Sequence, residues 1–466
     1  MSDSVAFNQE NDSIYFNNNE EQTALLNNHD TKESGYLRNF FKLTLLCLIN
    51  ILNYTDRYII SSVLIDLQNY FDIDKSTAGL LQTSFLLSFN LTAPLVGYLG
   101  DRYNRKYLLL VSCLLWLFSI VGGSFTMPNQ FGLFIFTRCC FGISTSFYEC
   151  ISIPIISDLY KNNIKNRTRA LFLFYLGPPI GTGVAFLLAN TTEDLIGVSD
   201  WRYVMRLTPF ALFAFFILVI FVFNNESNHI LRNNHQHISF WNDLKLLMKN
   251  KTYILIMLST ACLISSLVAF NWWSPSFLTY LLKSKSKTDK EIGDFKETYS
   301  IFQILSGFLG TLVFSEISNL FHNKYDCILI AVGSIFSSSL LYIFLVTSNL
   351  DTYLDIFIYS SFTLFINCWR VLLANILLNI IEPRLKSTAA SLLLFSIHLI
   401  GDSSSPFWIG YINQECLNKF DSKNSLINLT YCTQISLYPL VFLLFLAFSF
   451  ALFSSLTFHK DSIRQL

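Results

Sequence analysis

Leu52–Leu64 reads LNYTDRYIISSVL. It sets Asp56 beside Arg57 inside a run that is otherwise apolar from Phe40 past Val63. Ionisable groups at such a depth cost a few kcal/mol on insertion scales. They persist where they face a bundle interior or a wet cavity, and there they mark substrate or proton paths.

The rest of the chain repeats the apolar pattern. Of 466 residues, 52% are hydrophobic and only 14% charged, and the mean hydropathy is +0.44. A soluble domain carries nearer a quarter charged residues. The 45 Phe and 22 Tyr suit lipid-facing and interfacial surfaces. Twelve apolar spans are expected, centred near residues 51, 88, 116, 145, 179, 214, 267, 308, 336, 367, 399 and 446. Each is about 20 residues, enough to cross roughly 30 Å of hydrocarbon. Lipid offers the backbone no hydrogen-bond partner, so the spans are helices and the chain is an all-α membrane protein. The net charge of zero says nothing about partners, and no nucleic-acid partner is expected.

Short loops set the orientation through their Lys and Arg. Arg102, Arg105 and Lys106 follow span 2; Lys161, Lys165, Arg167 and Arg169 follow span 4; Arg384 and Lys386 follow span 10. The opposite loops lean acidic, with Asp66, Asp72, Asp74, Glu193, Asp194, Asp200, Asp351 and Asp355. The 283–297 loop is mixed. Both termini are therefore expected in the cytoplasm. Residues 1–36 are polar, lack the apolar core of a signal peptide and are expected to be disordered. Residues 37–223 and 252–458 form two six-helix halves, joined by a cytoplasmic linker at 224–251 and followed by a tail at 459–466. The linker's His229, His235 and His237 are irregularly spaced without Cys, so they read as solvated residues and no metal site or cofactor is expected.

Ten Cys lie mostly inside spans as small apolar fillers. Cys416 and Cys432 instead share a non-cytoplasmic loop, where a disulfide between them is as expected as two free thiols. The sequons at Asn190 and Asn428 fall on the same side, with Asn428 further from the membrane. Glu21, Leu25 and Leu26 form an acid-dileucine pattern of the kind sorting adaptors bind, which suggests a lysosomal or endosomal address. Chance is the competing explanation for so short a pattern.

GYLGDRYNRK, residues 97–106, resembles the major facilitator signature G-x-x-x-D-R-x-x-R-K at the turn between spans 2 and 3. The resemblance implies a gating role. Gly97 would let helices approach closely, Asp101 would cap a helix and pair across the halves, and Arg102, Arg105 and Lys106 would face the cytoplasm. Two six-helix halves around a midplane site is the logic of that fold.

A narrower resemblance spans residues 40–460. LNYTDRYIISSVL, GLLQTSF (79–85), APLVGYLGDRYNRKY (93–107), FYLGPPIGTG (174–183), WRYVMRLTP (201–209), WWSPSFL (272–278) and HLIGDSSSP (398–406) are similar to the Spinster family. Membership implies a carrier of lysophospholipids or sphingosine phosphate, with protons as a partner. The family's span 1 Asp and Arg match Asp56 and Arg57, and its span 4 Arg matches Arg138. Its span 4 Glu falls on Thr145 here, a departure that puts inherited proton coupling in question. Glu149 lies one turn on, and Arg138, Thr145 and Glu149 fall within about 40° of one helix face. The acid has thus slid one turn, or Glu149 is a structural partner of a neighbour.

Arg370 is a second departure, at a position where the family has Trp, and Asn375 replaces a family Asp. Arg370 is expected either to meet Glu149 across the cavity, to grip a phosphate with its forked guanidinium, or to pair structurally. His398 and Asp402 are four apart, share a helix face and could titrate or simply brace span 11. The readings that compete are a proton-linked lysolipid exporter of an acidic organelle, a carrier of a small organic anion, and a non-transporting sensor. No nucleophile–base spacing or phosphate loop supports an enzyme.

Overall fold

The computed structural model describes residues 37–100, 103–160, 164–196, 201–223, 240–347, 352–381, 386–420 and 425–463. Helix α1 covers residues 37–62 and is followed by α2 (Leu64–Phe71), α3 (Lys75–Gly100), α4 (Arg105–Ser124), α5 (Phe131–Leu159), α6 (Ile164–Tyr175), α7 (Gly177–Ile196) and α8 (Trp201–Val222). After the short α9 (Phe240–Leu247) come α10 (Lys251–Ser284), α11 (Asp289–Leu320), α12 (Asp326–Thr347), α13 (Thr352–Ile366), α14 (Trp369–Ile380), α15 (Lys386–Ile397), α16 (Ser405–Leu417) and α17 (Leu426–Ile463). No strand occurs among the described residues.

Among the described residues ten helices are long and apolar enough to cross a membrane. The other two expected spans are helical, but each carries a polar interruption. Residues 37–62 hold Asn50, Asn53, Asp56 and Arg57. Residues 386–417 are split between α15 and α16 by a π turn at His398–Asp402. π turns inside helices often sit at functional sites, because the wider turn re-aims side chains.

Each half packs around its own core. In the first, α5 lies against α3 and α4, and α4 against α8. In the second, α17 lies against α10 and α12, and α13 against α11 and α12. Helix α10 is the most deeply buried of the membrane spans, and its Trp272, Trp273, Phe270 and Phe277 are each no more than 1% exposed. Large apolar side chains on the outside, such as Phe210 and Phe221, fit a surface whose solvent is lipid.

The halves meet where α3 crosses α16 and α7 crosses α11. At the first crossing a Cβ on Gly79 would stand 2.5 Å from the Pro406 carbonyl oxygen and 2.7 Å from Phe407 Cα. Only glycine permits that approach. The close contacts lie toward the ends of α3 and α16 that carry Lys75 and Gln414, whose backbone N–H and side-chain oxygen are 3.1 Å apart.

The signature turn behaves differently from expectation. Among the described residues a Cβ on Gly97 would meet nothing within 4 Å, so none of them makes a close approach that needs this glycine. The reason is positional: the halves touch at the far end of α3. Arg105 does not stand free toward the cytoplasm either. It is 9% exposed and pairs with Asp158 of α5 at 2.5 Å, while Lys106 Nζ donates to the Ile220 carbonyl of α8 at 2.9 Å. Both cations pin α4 to its own half. Asp101 and Arg102 lie outside the described residues, as do Glu21, Leu25 and Leu26.

Candidate functional site

Successive helical residues point about 100° apart, and this separates the two charges of α1. Asp56, 3% exposed, turns into its own half. Its Oδ2 accepts from Trp116 Nε1 of α4 at 2.6 Å. Arg57, 6% exposed, turns to the other half. Its Nη2 is 3.6 Å from Asp402 Oδ2, and its guanidinium lies over the rings of Tyr54, Tyr58 and Phe85 at 5.5, 5.6 and 5.2 Å. The two residues that are neighbours in sequence are therefore not partners in space.

Asp402 gathers a second group. His398 Nδ1 lies 2.9 Å from the same Oδ2. The π turn makes this possible, closing with the Ser403 N–H on the His398 carbonyl at 3.1 Å. Ser403 Oγ also donates to that carbonyl at 2.6 Å and accepts from Asn90 Nδ2 of α3 at 2.7 Å. The turn is thus tied to the first half by a neutral hydrogen bond as well as by the ion pair.

Arg138 of α5 is 1% exposed. None of its three side-chain nitrogens has a hydrogen-bond partner among the described residues. The rings of Phe85 and Phe141 lie 5.7 and 5.1 Å from it. A buried guanidinium with five free donors is costly unless something else meets it. Thr145, in the position of the family's Glu, accepts from Asn53 Nδ2 of α1 at 3.1 Å. A neutral hydrogen bond stands at the position where the family resemblance implies a carboxylate.

Glu149 is half-buried, and its Oε1 has no hydrogen-bond partner. The charges that act on it are those of Arg57, His398 and Arg370, with Tyr54 beside it. Arg370, at the start of α14, lies over the Trp369 ring at 4.9 Å, and its Nε is unpartnered. Among the described residues Glu149 and Arg370 make no ion pair within 4 Å, so the expected direct contact between them is absent in this conformation. They share one electrostatic neighbourhood instead. Asn375 donates to Ser318 at 3.2 Å and lies away from this cluster, at the end of α11.

Cys416 and Cys432 are joined by a disulfide that ties α16 to α17. Asn190 is 9% exposed and lines a small cavity with Lys296 and Tyr299, so its side chain is not presented for a glycan. Asn428, in the first turn of α17, is less covered. Among the described residues no group of His, Cys, Asp or Glu is arranged to hold a metal ion. Trp116, Asn53 and Tyr54 were not singled out from sequence. Inside an apolar run they look like ordinary core residues, and only the fold brings them to the charges of α1 and α5.

The arrangement is a two-halved membrane bundle with Arg57, Arg138, Arg370, Asp56, Glu149 and Asp402 near its centre and the Arg57–Asp402 ion pair bridging the halves. The sequence model of the Major Facilitator Superfamily matches residues 46–406. Protein spinster of Drosophila melanogaster is 34% identical over 83% of this chain and 63% of its own length. Protein spinster homolog 3 of Danio rerio is 33% identical over 83% of this chain and 78% of its own. A Danio rerio protein named sphingosine-1-phosphate transporter is 32% identical over 78% of this chain and 74% of its own. A bacterial homolog of the human lysosomal transporter Spinster, crystallised inward-facing and unoccupied, superposes with a TM-score of 0.74 over 91% of this chain and 98% of that one, at 17% identity. The last match shows the fold alone.

The chain belongs to the Major Facilitator Superfamily and, within it, to the Spinster family. It is a multi-pass integral membrane protein. It spans 63% of the length of the Drosophila relative.

Proposed function

We propose that the protein is a secondary active carrier that moves lysophospholipids or related sphingolipids out of an acidic organelle, with protons as the coupled ion. The observation that carries this is the Arg57–Asp402–His398 cluster, which spans the two halves and sets a guanidinium and an imidazole against one carboxylate. A lysolipid phosphate that engages Arg57 competes with Asp402 for the guanidinium. The released carboxylate and imidazole then become a proton site whose occupancy depends on substrate. Arg370 adds a second forked donor at the same level, suited to phosphate.

The Danio rerio relative named as a sphingosine-1-phosphate transporter supports the lipid-phosphate class. Glu21, Leu25 and Leu26 support adaptor-directed sorting to lysosomal or endosomal membranes. Asn428 is the glycan site in this reading, and the acyl chain of the substrate rests among the Phe-rich spans and membrane lipids.

The test is purified protein in liposomes with labelled lysophosphatidylcholine, lysophosphatidylethanolamine and sphingosine 1-phosphate, each with and without a pH gradient. Uptake that collapses with the gradient supports the reading. Flux of none of the three, from protein that is folded and monodisperse, overturns it.

A further inference from the structure

Lys75, the first residue of α3, is 7% exposed and is held across the seam between the halves. Its Nζ donates to Tyr280 OH of α10 at 2.5 Å and to Gln68 Oε1 of α2 at 2.7 Å, and it lies 4.6 Å from the Tyr280 ring centroid. Its backbone N–H donates to Gln414 Oε1 of α16 at 3.1 Å. Gly410 of α16 brings that helix directly against the Lys75 carbonyl. One residue therefore contacts two C-terminal-half helices, α10 and α16, at this end of the bundle. Two further ties set α16 there: Asn413 Nδ2 donates to Thr433 Oγ1 of α17 at 3.1 Å, and the Cys416–Cys432 disulfide follows.

The ammonium has neutral partners only. No carboxylate lies within ion-pair distance of Lys75 among the described residues, and no other charge acts on it. Of the charged and titratable groups on the surrounding elements, Asp66 of α2 acts on Tyr280, and Lys283 of α10 stands a turn beyond Tyr280. Asp72 is exposed. Asp74 is taken up by the N-terminus of its own helix: partial burial works to raise its carboxyl, but Thr77 and Ser76 outweigh that and hold it below the usual carboxylate range. It stays ionised from pH 5.5 upward. Glu415 lies on α16 next to Gln414 and shows no ion pair with Lys75.

We propose that Lys75 is the latch of the gate at this end, which the Lys and Arg asymmetry assigns to the non-cytoplasmic side, and that protons on that side release it. Closure buries a cation without a counter-charge, which is costly. Opening parts Lys75 from Tyr280 and Gln414 and returns the ammonium to water. The closed state therefore binds this proton less readily than the open state, and acid on that side shifts the population toward open. The lysine is a positioning residue for the gate and touches no substrate. The inference deepens the proton-coupled reading above, but its test needs no substrate.

The experiment is hydrogen–deuterium exchange on the full-length protein in detergent at pH 6.5 and 8.5, corrected for the intrinsic rate, followed on peptides covering residues 64–81 and 405–417. Protection of both peptides falls on acidification, by up to about tenfold per pH unit, the limit for one linked proton. Lys75→Met removes that slope, Lys75→Arg, which cannot shed its charge, keeps protection low at either pH, and Tyr280→Phe lowers protection at pH 8.5. Asp66→Asn and Glu415→Gln retain the slope. An unchanged slope in Lys75→Met overturns the proposal. If Lys75→Met does not fold, the Lys75→Arg and Tyr280→Phe results decide it: a pH slope in Lys75→Arg equal to wild type overturns it. Absence of lipid flux with an intact Lys75-dependent slope would remove the substrate assignment and leave the latch.

Discussion

Arg57 of α1 and Asp402 of the π turn stand 3.6 Å apart and belong to opposite halves. Both are almost fully buried, at 6% and 0% exposure. Any rocking of the halves at this level must either break the pair or carry it along, and removal of Asp402 strands Arg57.

The pair predicts coupling. Asp402→Asn leaves the buried Arg57 guanidinium without its ion-pair partner, which in buried pairs costs about 3–5 kcal/mol, whereas Arg57→Gln leaves Asp402 with His398. The double substitution should recover part of that loss. Thermal unfolding in detergent and flux per molecule, read as a double-mutant cycle, should give a coupling of roughly 0.5–3 kcal/mol. Strict additivity would dissolve the pair as a functional unit.

Asp56 depends on Trp116. Trp116→Phe removes the indole donor and little else from a site at 2.6 Å, so the protein should lose about 1–3 kcal/mol of stability. Flux per molecule should fall with it. Asp56→Asn and Arg138→Gln are expected to lose transport more than abundance. Normal flux per surface molecule in Asp56→Asn takes Asp56 out of the mechanism.

Glu149 and Arg370 share a field without touching. Glu149→Gln removes a carboxylate with an unpartnered oxygen, and the dependence of efflux on lumenal pH should flatten. If that dependence stays whole in Glu149→Gln, the acid one turn beyond Thr145 is not the proton carrier, and His398→Gln becomes the next variant to assay. The Arg370→Gln change should weaken lysolipid binding more than it alters the pH profile.

Two glycines should respond in opposite ways. Gly79→Val places side-chain carbons against the backbone of Pro406 and Phe407, which cannot move aside. The seam at that end should stay parted, with faster amide exchange in residues 75–81 and little net transport. Gly97→Ala meets open space and should leave the thermal midpoint of this conformation unchanged. A fall in midpoint for Gly97→Ala equal to that of Gly79→Val would contradict the placement of the seam.

The sorting pattern has its own test. Replacing Leu25 and Leu26 by Ala should move the protein from lysosomal or endosomal membranes toward the cell surface, scored by microscopy of the tagged full chain. An unaltered distribution would falsify the adaptor reading and leave the carrier proposal standing.

Helix content, membrane class and family were legible in the linear sequence because they rest on local properties. Apolar runs of span length admit only helices in lipid. GYLGDRYNRK and HLIGDSSSP are contiguous segments that keep their order however the helices pack. Asp56, Arg57, Arg138 and Asp402 announced themselves for the same reason: a charge in an apolar run is conspicuous without any knowledge of its neighbours. Partnership was not legible. Asp56 and Arg57 are adjacent in the chain, yet one hydrogen-bonds to Trp116 and the other pairs with Asp402, because a helix turns consecutive side chains about 100° apart. Glu149 and Arg370 suit each other as charges, but helix positions keep them beyond ion-pair reach. Lys75 passed as an ordinary residue at a span end, and Gly97 as a packing glycine. Which end of the bundle closes is a property of how the two halves are set against each other, and only the tertiary structure places α3 on α16 so that Lys75 meets Tyr280 and Gln414.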